Sequence, residues 1–394
     1  MARLLFLTPQ LPHPPISGGV IKSRKLVDHL ASRHEVRLFT LLKGNDACSV
    51  DEFRASVPLE QFQAVPIHIP RSAGNLIRSL WTGVPLSVYR NRSSEMRSLI
   101  EESLDLADVV FVDHFLMFQY LPEACRGRVV LHQHNAEYVM WQRFAALEKR
   151  PLHKLAVWME ARRVRNYEFR IGNKADAILA APNDIEALVA LGLPRDKFIL
   201  TLHLGDESLL DLPDIEFSRT ACRLLYVGSL GWEANRDGLI WFLRYVWPEL
   251  KRSHVDLTLT IIGPQAGQQL TLVAEKLEGV ELLGFVDDLE PYYERSRVFI
   301  APIRFGSGIK VKVVNALYRG IPVSSTSIGV EGLDVQPGRD LFVADDVGTM
   351  VEHIGILLTD KARWTQMRDA CRTLMREKYT WRETLDRLEE ALNG

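Results

Sequence analysis

Short, continuous apolar runs recur along the first half of the chain, at 4–8, 36–41, 64–69, 109–112, 129–131, 177–180 and 198–202. Between them lie longer stretches whose apolar residues fall three and four apart. Runs of the first kind read as strands buried on both faces, and stretches of the second kind as the helices that cover them. A polar break at 210–216 interrupts the alternation. It then restarts with runs at 223–227, 257–262, 280–283, 298–301 and 322–324. The pattern predicts an α/β fold of two doubly wound, parallel-sheet domains, 1–208 and 209–378, followed by a helix over 379–394 with Thr380 as its N-cap. The length of 394 residues agrees, since a single core rarely keeps growing at that size. Doubly wound sheets bind ligands at the carboxyl ends of their strands, so the two domains are expected to face a shared cleft.

Composition narrows the field. A net charge of −2 and a sequence pI near 6.6 argue against a dedicated nucleic-acid binder. Cys48, Cys125, Cys222 and Cys371 form no Cys-x-x-Cys pair and are expected to be free thiols in a reducing compartment. The first apolar run is too short for a signal-peptide core, and no run approaches the roughly 20 residues that cross a bilayer. A cytoplasmic protein is expected.

The densest chemistry lies at 301–323, which joins a strand, a glycine-rich turn, a basic helix start and a second strand. Gly306 and Gly308 would let backbone N–H groups approach an anion. A helix beginning near Ile309 would present unpaired amides, and Lys310 and Lys312 would add mobile charge. That combination predicts a diphosphate cradle; the alternative is a connection whose glycines serve only to turn the chain. Lys312 and Asn315 share a helix face, while Val313 and Leu317 can face the core.

The run 306–323, followed by Ser-Ser-Thr-Ser-Ile-Gly-Val-Glu-Gly-Leu at 324–333, resembles the donor-binding region of family-four retaining glycosyltransferases. The resemblance continues upstream in Tyr-Val-Gly-Ser-Leu-Gly-Trp-Glu-Ala-Asn at 226–235 and Gly-Phe-Val-Asp-Asp-Leu at 284–289. It implies the GT-B fold, with two Rossmann-like domains around a central cleft and the last helix returning to the N-terminal domain. It also implies a nucleotide-sugar donor as substrate. The developing charge of the leaving diphosphate would be stabilised without metal by Arg304, Lys310, Lys312 and the amides of Gly306, Ser307, Gly308 and Ile309. Two departures stand out. Ser229 and Asn235 occupy places where many members carry an arginine and a lysine. Ser307 and Asn315 occupy the places of two glutamates eight positions apart, and an amide is the weaker acceptor for a ribose hydroxyl. Trp232 and Asn235 are placed in the phosphate or sugar pocket, with core packing the rival role for Trp232. Phe285 and Val286 resemble the base-binding loop. Asp287 and Asp288 read better as N-caps of the helix through Tyr293. With no Asp-x-Asp element at a suitable strand end, neither metal nor cofactor is expected.

In the N-terminal half the loop 9–20, with His13, Gly18 and Gly19, follows the first strand. By resemblance the glycine pair lies beside the donor phosphates and the acceptor. The stretch 131–138 leaves a strand and opens a helix, gathering His134, Asn135 and Glu137 as catalytic candidates, with helix capping the other role for Asn135. Asp113 and His114 form a second polar strand end, on the acceptor side with His13. Two basic clusters, 149–154 and 162–165, flank Leu155, Val157, Trp158 and Met159; they read either as a surface for anionic lipid or as a solvated helix face. The stretch 76–89, with Trp81, is a second such candidate. The expected function is metal-independent, retaining transfer of a sugar from a nucleotide-sugar donor to a carbohydrate or lipid-linked carbohydrate acceptor. The expected setting is bacterial surface-polysaccharide or glycoconjugate biosynthesis, in the cytoplasm or peripherally on the inner face of the membrane. The rivals are a catalytically degenerate nucleotide-sugar-binding or scaffold protein of the same fold, and an epimerase acting on the nucleotide sugar.

Overall fold

A computed structural model describes residues 1–15, 18–44, 49–68 and 72–393. Cys48, Ile16 and Ser17 of the first loop, and position 69 of the third apolar run lie outside the described residues. The chain forms two compact units, Met1–His203 with Arg382–Gly394, and Leu204–Trp381.

The first unit is built on seven parallel strands, β1 (Arg3–Thr8), β2 (Glu35–Leu42), β3 (Gln61–Pro66), β4 (Val109–Asp113), β5 (Arg128–His132), β6 (Ala177–Ala180) and β7 (Phe198–Leu200), in the order β3-β2-β1-β4-β5-β6-β7. Its centre is apolar on both faces, so β1 and β4 read as unbroken hydrophobic runs. Period-2 alternation sends Leu5, Leu7, Val110 and Val112 to one face, where Tyr167 and Ile171 of the helix Pro151–Lys174 cover them. Leu4, Phe6 and Phe111 go to the other face.

That second face is closed by two helices from distant parts of the sequence. Gly18–Ala31 supplies Leu26, Val27 and Leu30, and the last helix, Trp381–Asn393, supplies Leu388, Ala391 and Leu392. Polar contacts fix the last helix in place. Glu389 accepts hydrogen bonds from Nε2 of His29 at 2.8 Å and Nε2 of His34 at 3.1 Å, and Arg128 donates to the Ala391 carbonyl at 2.8 Å.

The second unit repeats the plan with β8 (Arg223–Val227), β9 (Thr258–Ile262), β10 (Val280–Leu283), β11 (Val298–Ala301), β12 (Val323–Ser325) and β13 (Phe342–Val343), ordered β10-β9-β8-β11-β12-β13 and parallel throughout. Two strands depart from the apolar pattern. β3 lies upstream of the run at 64–69, because pairing with β2, from Arg37↔Gln61 to Leu42↔Pro66, fixes an edge strand that is only half-buried. β13 is two residues long and leaves no run to read.

Candidate functional site

In each sheet the strand order reverses at one point, between β8 and β11 in the second unit and between β1 and β4 in the first. At such a point the loops leaving neighbouring strands diverge and open a crevice at the strand carboxyl ends. The residues singled out from sequence fall largely on these four loops.

In the second unit, β11 runs into the turn at 302–310 and then the helix Val311–Arg319. Gly306 and Gly308 have φ of 131° and 73°, values that favour glycine. A Cβ at Gly306 would come within 3.0 Å of the Trp232 ring, so the turn lies close against that indole. The helix starts at Val311 rather than near Ile309, because Lys310 is extended at φ −91° and ψ 93°. Lys310 is also not the mobile charge expected. Its side chain is buried, and Nζ donates to the carbonyls of Ser307 and Gly308, so it braces the turn from within. Ile309 is buried, and so is Ser307, whose hydroxyl has no partner among the described residues.

Lys312 is the cation this site presents. Its Nζ donates to the Tyr226 hydroxyl at 2.9 Å and to the Asn235 side-chain carbonyl, 5.0 Å from the Tyr226 ring centre and 5.7 Å from that of Trp232. Among the described residues no carboxylate pairs with it. Burial, reinforced by the charge of Lys310, lowers its pKa to about 7. Asn235 is itself buried and donates to the Ser229 carbonyl at 2.6 Å. Asn235 therefore aims a lysine from the neighbouring helix. Trp232 is the N-cap residue of the helix Glu233–Trp241.

Other candidates in this unit have different partners. Arg304 pairs with Asp237 at 3.4 Å. Asn315 accepts the Asp206 N–H at 2.9 Å, and its oxygen lies where a Cβ of Gly205 would be, so its carbonyl is committed to holding that loop. Phe285 is exposed and Val286 half-buried just beyond β10. Asp288 accepts from the Glu290 N–H at 3.0 Å, but the N-cap of the helix Glu290–Arg295 is Leu289, so neither Asp287 nor Asp288 holds the N-cap position read from sequence.

In the first unit the centre is Asp113, the fully buried last residue of β4. Its carboxylate accepts from Thr8 Oγ1 at 3.0 Å, Ser23 Oγ at 2.6 Å, His132 Nδ1 at 2.7 Å and His134 Nε2 at 2.8 Å. Burial opposes the charge, but His134 and the two imidazole hydrogen bonds outweigh it and hold the carboxyl well below its usual range. His134 also makes ring contacts with His114, His132 and His203 at 5.0, 4.4 and 5.2 Å. With Nε2 committed to Asp113, Nδ1 of His134 is the nitrogen left over among the described residues. It faces Gly19, whose Cβ would stand 3.5 Å away, so the glycine keeps that atom uncovered. Gly18 and Gly19 open the helix Gly18–Ala31.

Asn135 and Glu137 have other roles. The helix Glu137–Leu147 has Ala136 as N-cap, and Glu168 takes the N–H groups of Glu137 and Tyr138, both at 2.8 Å, while Asp184 takes that of Ala136 at 2.8 Å. Distant carboxylates thus do the capping considered for Asn135, whose side chain instead bonds Glu137. Burial raises the Glu137 carboxyl to about 7 against that hydrogen bond. His13 lies 3.2 Å from Glu52 and 3.4 Å from Arg24. His114, at φ 93°, accepts the Leu116 N–H at 3.3 Å.

Lys22, Ser23, Glu168 and His203 were not singled out from sequence. Lys22 carried a signal, since it lies in phase with Leu26 and Leu30 on the buried stripe of its helix, and its Nζ has no partner among the described residues. Among the described residues, Asp113, His132 and His134 are the group whose ligand atoms, within 4.8 Å of one another, could share a metal ion. Their atoms are engaged with each other as a hydrogen-bonded cluster beside the buried Lys22.

Residues 221–360 match the family model described as glycosyl transferases group 1. A Klebsiella pneumoniae protein, described as an uncharacterized 44.6 kDa protein in cps region, is 25% identical over 363 residues, 90% of each chain. HepE of Anabaena, solved with UDP and glucose, superposes with a TM-score of 0.69 at 14% identity, covering 100% of this chain and 99% of its own. TarM of S. aureus, in a mutant form solved with fondaparinux, alpha-GlcNAc-glycerol and UDP, gives 0.72 at 9% identity over 100% of both chains. The fold is GT-B.

Proposed function

We propose that this chain, which carries a glycosyl transferases group 1 domain on a GT-B fold, is a glycosyltransferase acting on a nucleotide-sugar donor and a carbohydrate or lipid-linked carbohydrate acceptor. The observation that carries this reading is Lys312, a cation held at the strand-order reversal by a phenol and an amide, with no carboxylate partner among the described residues and a glycine turn beside it. Such a charge is matched by an anionic ligand. The UDP complex of HepE and the cps-region setting of the Klebsiella relative support a nucleotide donor and surface-polysaccharide assembly.

In the proposed reaction the bond from the sugar anomeric carbon to the diphosphate breaks, and a bond from that carbon to an acceptor hydroxyl oxygen forms. The hydroxyl proton passes to the departing phosphate, and the anomeric configuration is retained. Lys312 and the amides at the start of the helix Val311–Arg319 stabilise the charge on the leaving group, which gives the step what it needs without a metal. Lys310 keeps the turn in shape. In the first unit His134 offers Nδ1 to a sugar or acceptor hydroxyl, and Asp113 positions the ring.

A thermal-shift screen with uridine, guanosine, adenosine and thymidine diphosphates, then turnover with the matching nucleotide sugars with and without EDTA, tests the reading. We expect stabilisation by at least one diphosphate, and transfer or donor hydrolysis that EDTA leaves unchanged. Binding without either reaction would support the degenerate or scaffold reading; no response to any nucleotide would overturn both.

A further inference from the structure

Sixteen large hydrophobic side chains are exposed among the described residues, and nine of them fall in two short segments of the first unit. Four lie on the helix Ala73–Thr82, including Ile77 and Trp81, exposed by 64% and 90%. Five lie between 147 and 159, including Leu152, Leu155, Trp158 and Met159. The short helix is inverted relative to an ordinary surface helix. Its apolar residues point outward, and Ser79 is its buried side chain, donating to the Val84 carbonyl at 2.7 Å and accepting from Arg163 at 2.9 Å. Its ends are well formed, with Ser72 accepting the Asn75 N–H and Gly83 in the left-handed conformation at φ 66°. Leu155, Met159 and Arg163 are spaced four apart on the long helix, so the exposed stripe runs up to the residue that bonds Ser79. Hydrogen bonds from Arg163 to Ser79 and from the Leu86 N–H to Glu160 join the two segments.

The charge around this face is predominantly basic. Residues 72–92 contain Arg78, Arg90 and Arg92 and no acid. Residues 149–166 contain six lysines and arginines and a single acid, Glu160, which is buried and occupied by the Leu86 N–H and Arg163. Of the six, Arg150 is paired with Glu148. The chain as a whole carries −2, so this face stands apart. A second copy docking through the same face would bring like charges together. A bilayer of anionic lipid offers apolar depth for Ile77, Trp81 and Leu152 and phosphates for the basic rim.

We propose that the helix Ala73–Thr82 and the first half of the helix Pro151–Lys174 form a docking surface for an anionic membrane. The proposal stands apart from the transferase reading, because vesicle binding needs no donor and no turnover. The test is co-sedimentation of the full chain with phosphatidylcholine vesicles and with mixed phosphatidylcholine and phosphatidylglycerol vesicles. We expect binding to the mixed vesicles alone, released by salt and lowered about fivefold or more by W81E combined with L152E, and also by K154E combined with R162E. Both pairs are exposed and should leave the thermal unfolding curve in place. Equal binding to both vesicles, binding to neither, or indifference to the substitutions would overturn the proposal. So would a dimer in solution that W81E with L152E dissociates, which would assign the face to a second copy.

Discussion

Lys312 ties protein stability and ligand affinity to pH in opposite senses. Its pKa is about 7 when folded against an ordinary 10.5, so the unfolded chain binds more protons between those values. Stability contributed by this group therefore rises with pH across that window and is lowest below 7. A diphosphate favours the protonated lysine, so its affinity should be level just below pH 7 and fall by up to about tenfold per unit above it. Calorimetric titration of a nucleoside diphosphate from pH 6.5 to 9 reads this slope. K312M should weaken binding by about tenfold or more, abolish the slope and leave the unliganded protein no less stable at neutral pH; an unchanged slope would assign it to another group. At this scale the sequence identified the right segment but not each side chain's part in it. Lys310 and Lys312 look alike in a basic helix start, yet the extended backbone at Lys310 turns one inward to bond carbonyls. Asp113 and His134 were legible as polar strand ends. Their junction was not, because Thr8, Ser23 and His203 join it only through tertiary packing.

Helices and strands were legible where one local rule governed them. Strands β1, β4, β6 and β11 are buried on both faces and appear as apolar runs, while β3 and β13 depend on pairing and leave weaker traces. Helix ends were less legible when their caps come from afar. Glu168 lies 31 residues from the first N–H it accepts, so nothing adjacent to the helix Glu137–Leu147 announces it. E168A leaves the buried N–H groups of Glu137 and Tyr138 without their acceptor and removes one of the two acceptors of the Gln133 side-chain amide. It should destabilise the protein by about 3 kcal/mol in chemical denaturation; a loss below about 1 kcal/mol would show that the cap is dispensable.

For the whole molecule, the helix Trp381–Asn393 matters more than its length suggests. Removing everything after Thr380 uncovers the face of the first sheet bearing Leu4, Phe6 and Phe111, and leaves His29 and His34 without Glu389. Two buried leucines lost from that face cost about 3–6 kcal/mol together. Calorimetry should show the transition of the first unit lowered or lost, while nucleotide still raises the transition of the second; a first unit of unchanged stability would mean that the helix rests there without supporting it. The two-unit plan was legible as a pattern that stops and restarts. The covering of the first sheet by residues some 350 positions away was expected only through the family resemblance, since apolar periodicity shows that a helix has a partner but not which one.

This connectivity also orders events during synthesis. The strands of the first sheet leave the ribosome before any residue of the second unit, yet the helix that seals one of its faces is translated only after that unit. The second unit can complete its own sheet while its predecessor is still open, so the half made earliest is the half that waits. In the cell, that interval is when a chaperone or protease would find Leu4 and Phe6 within reach.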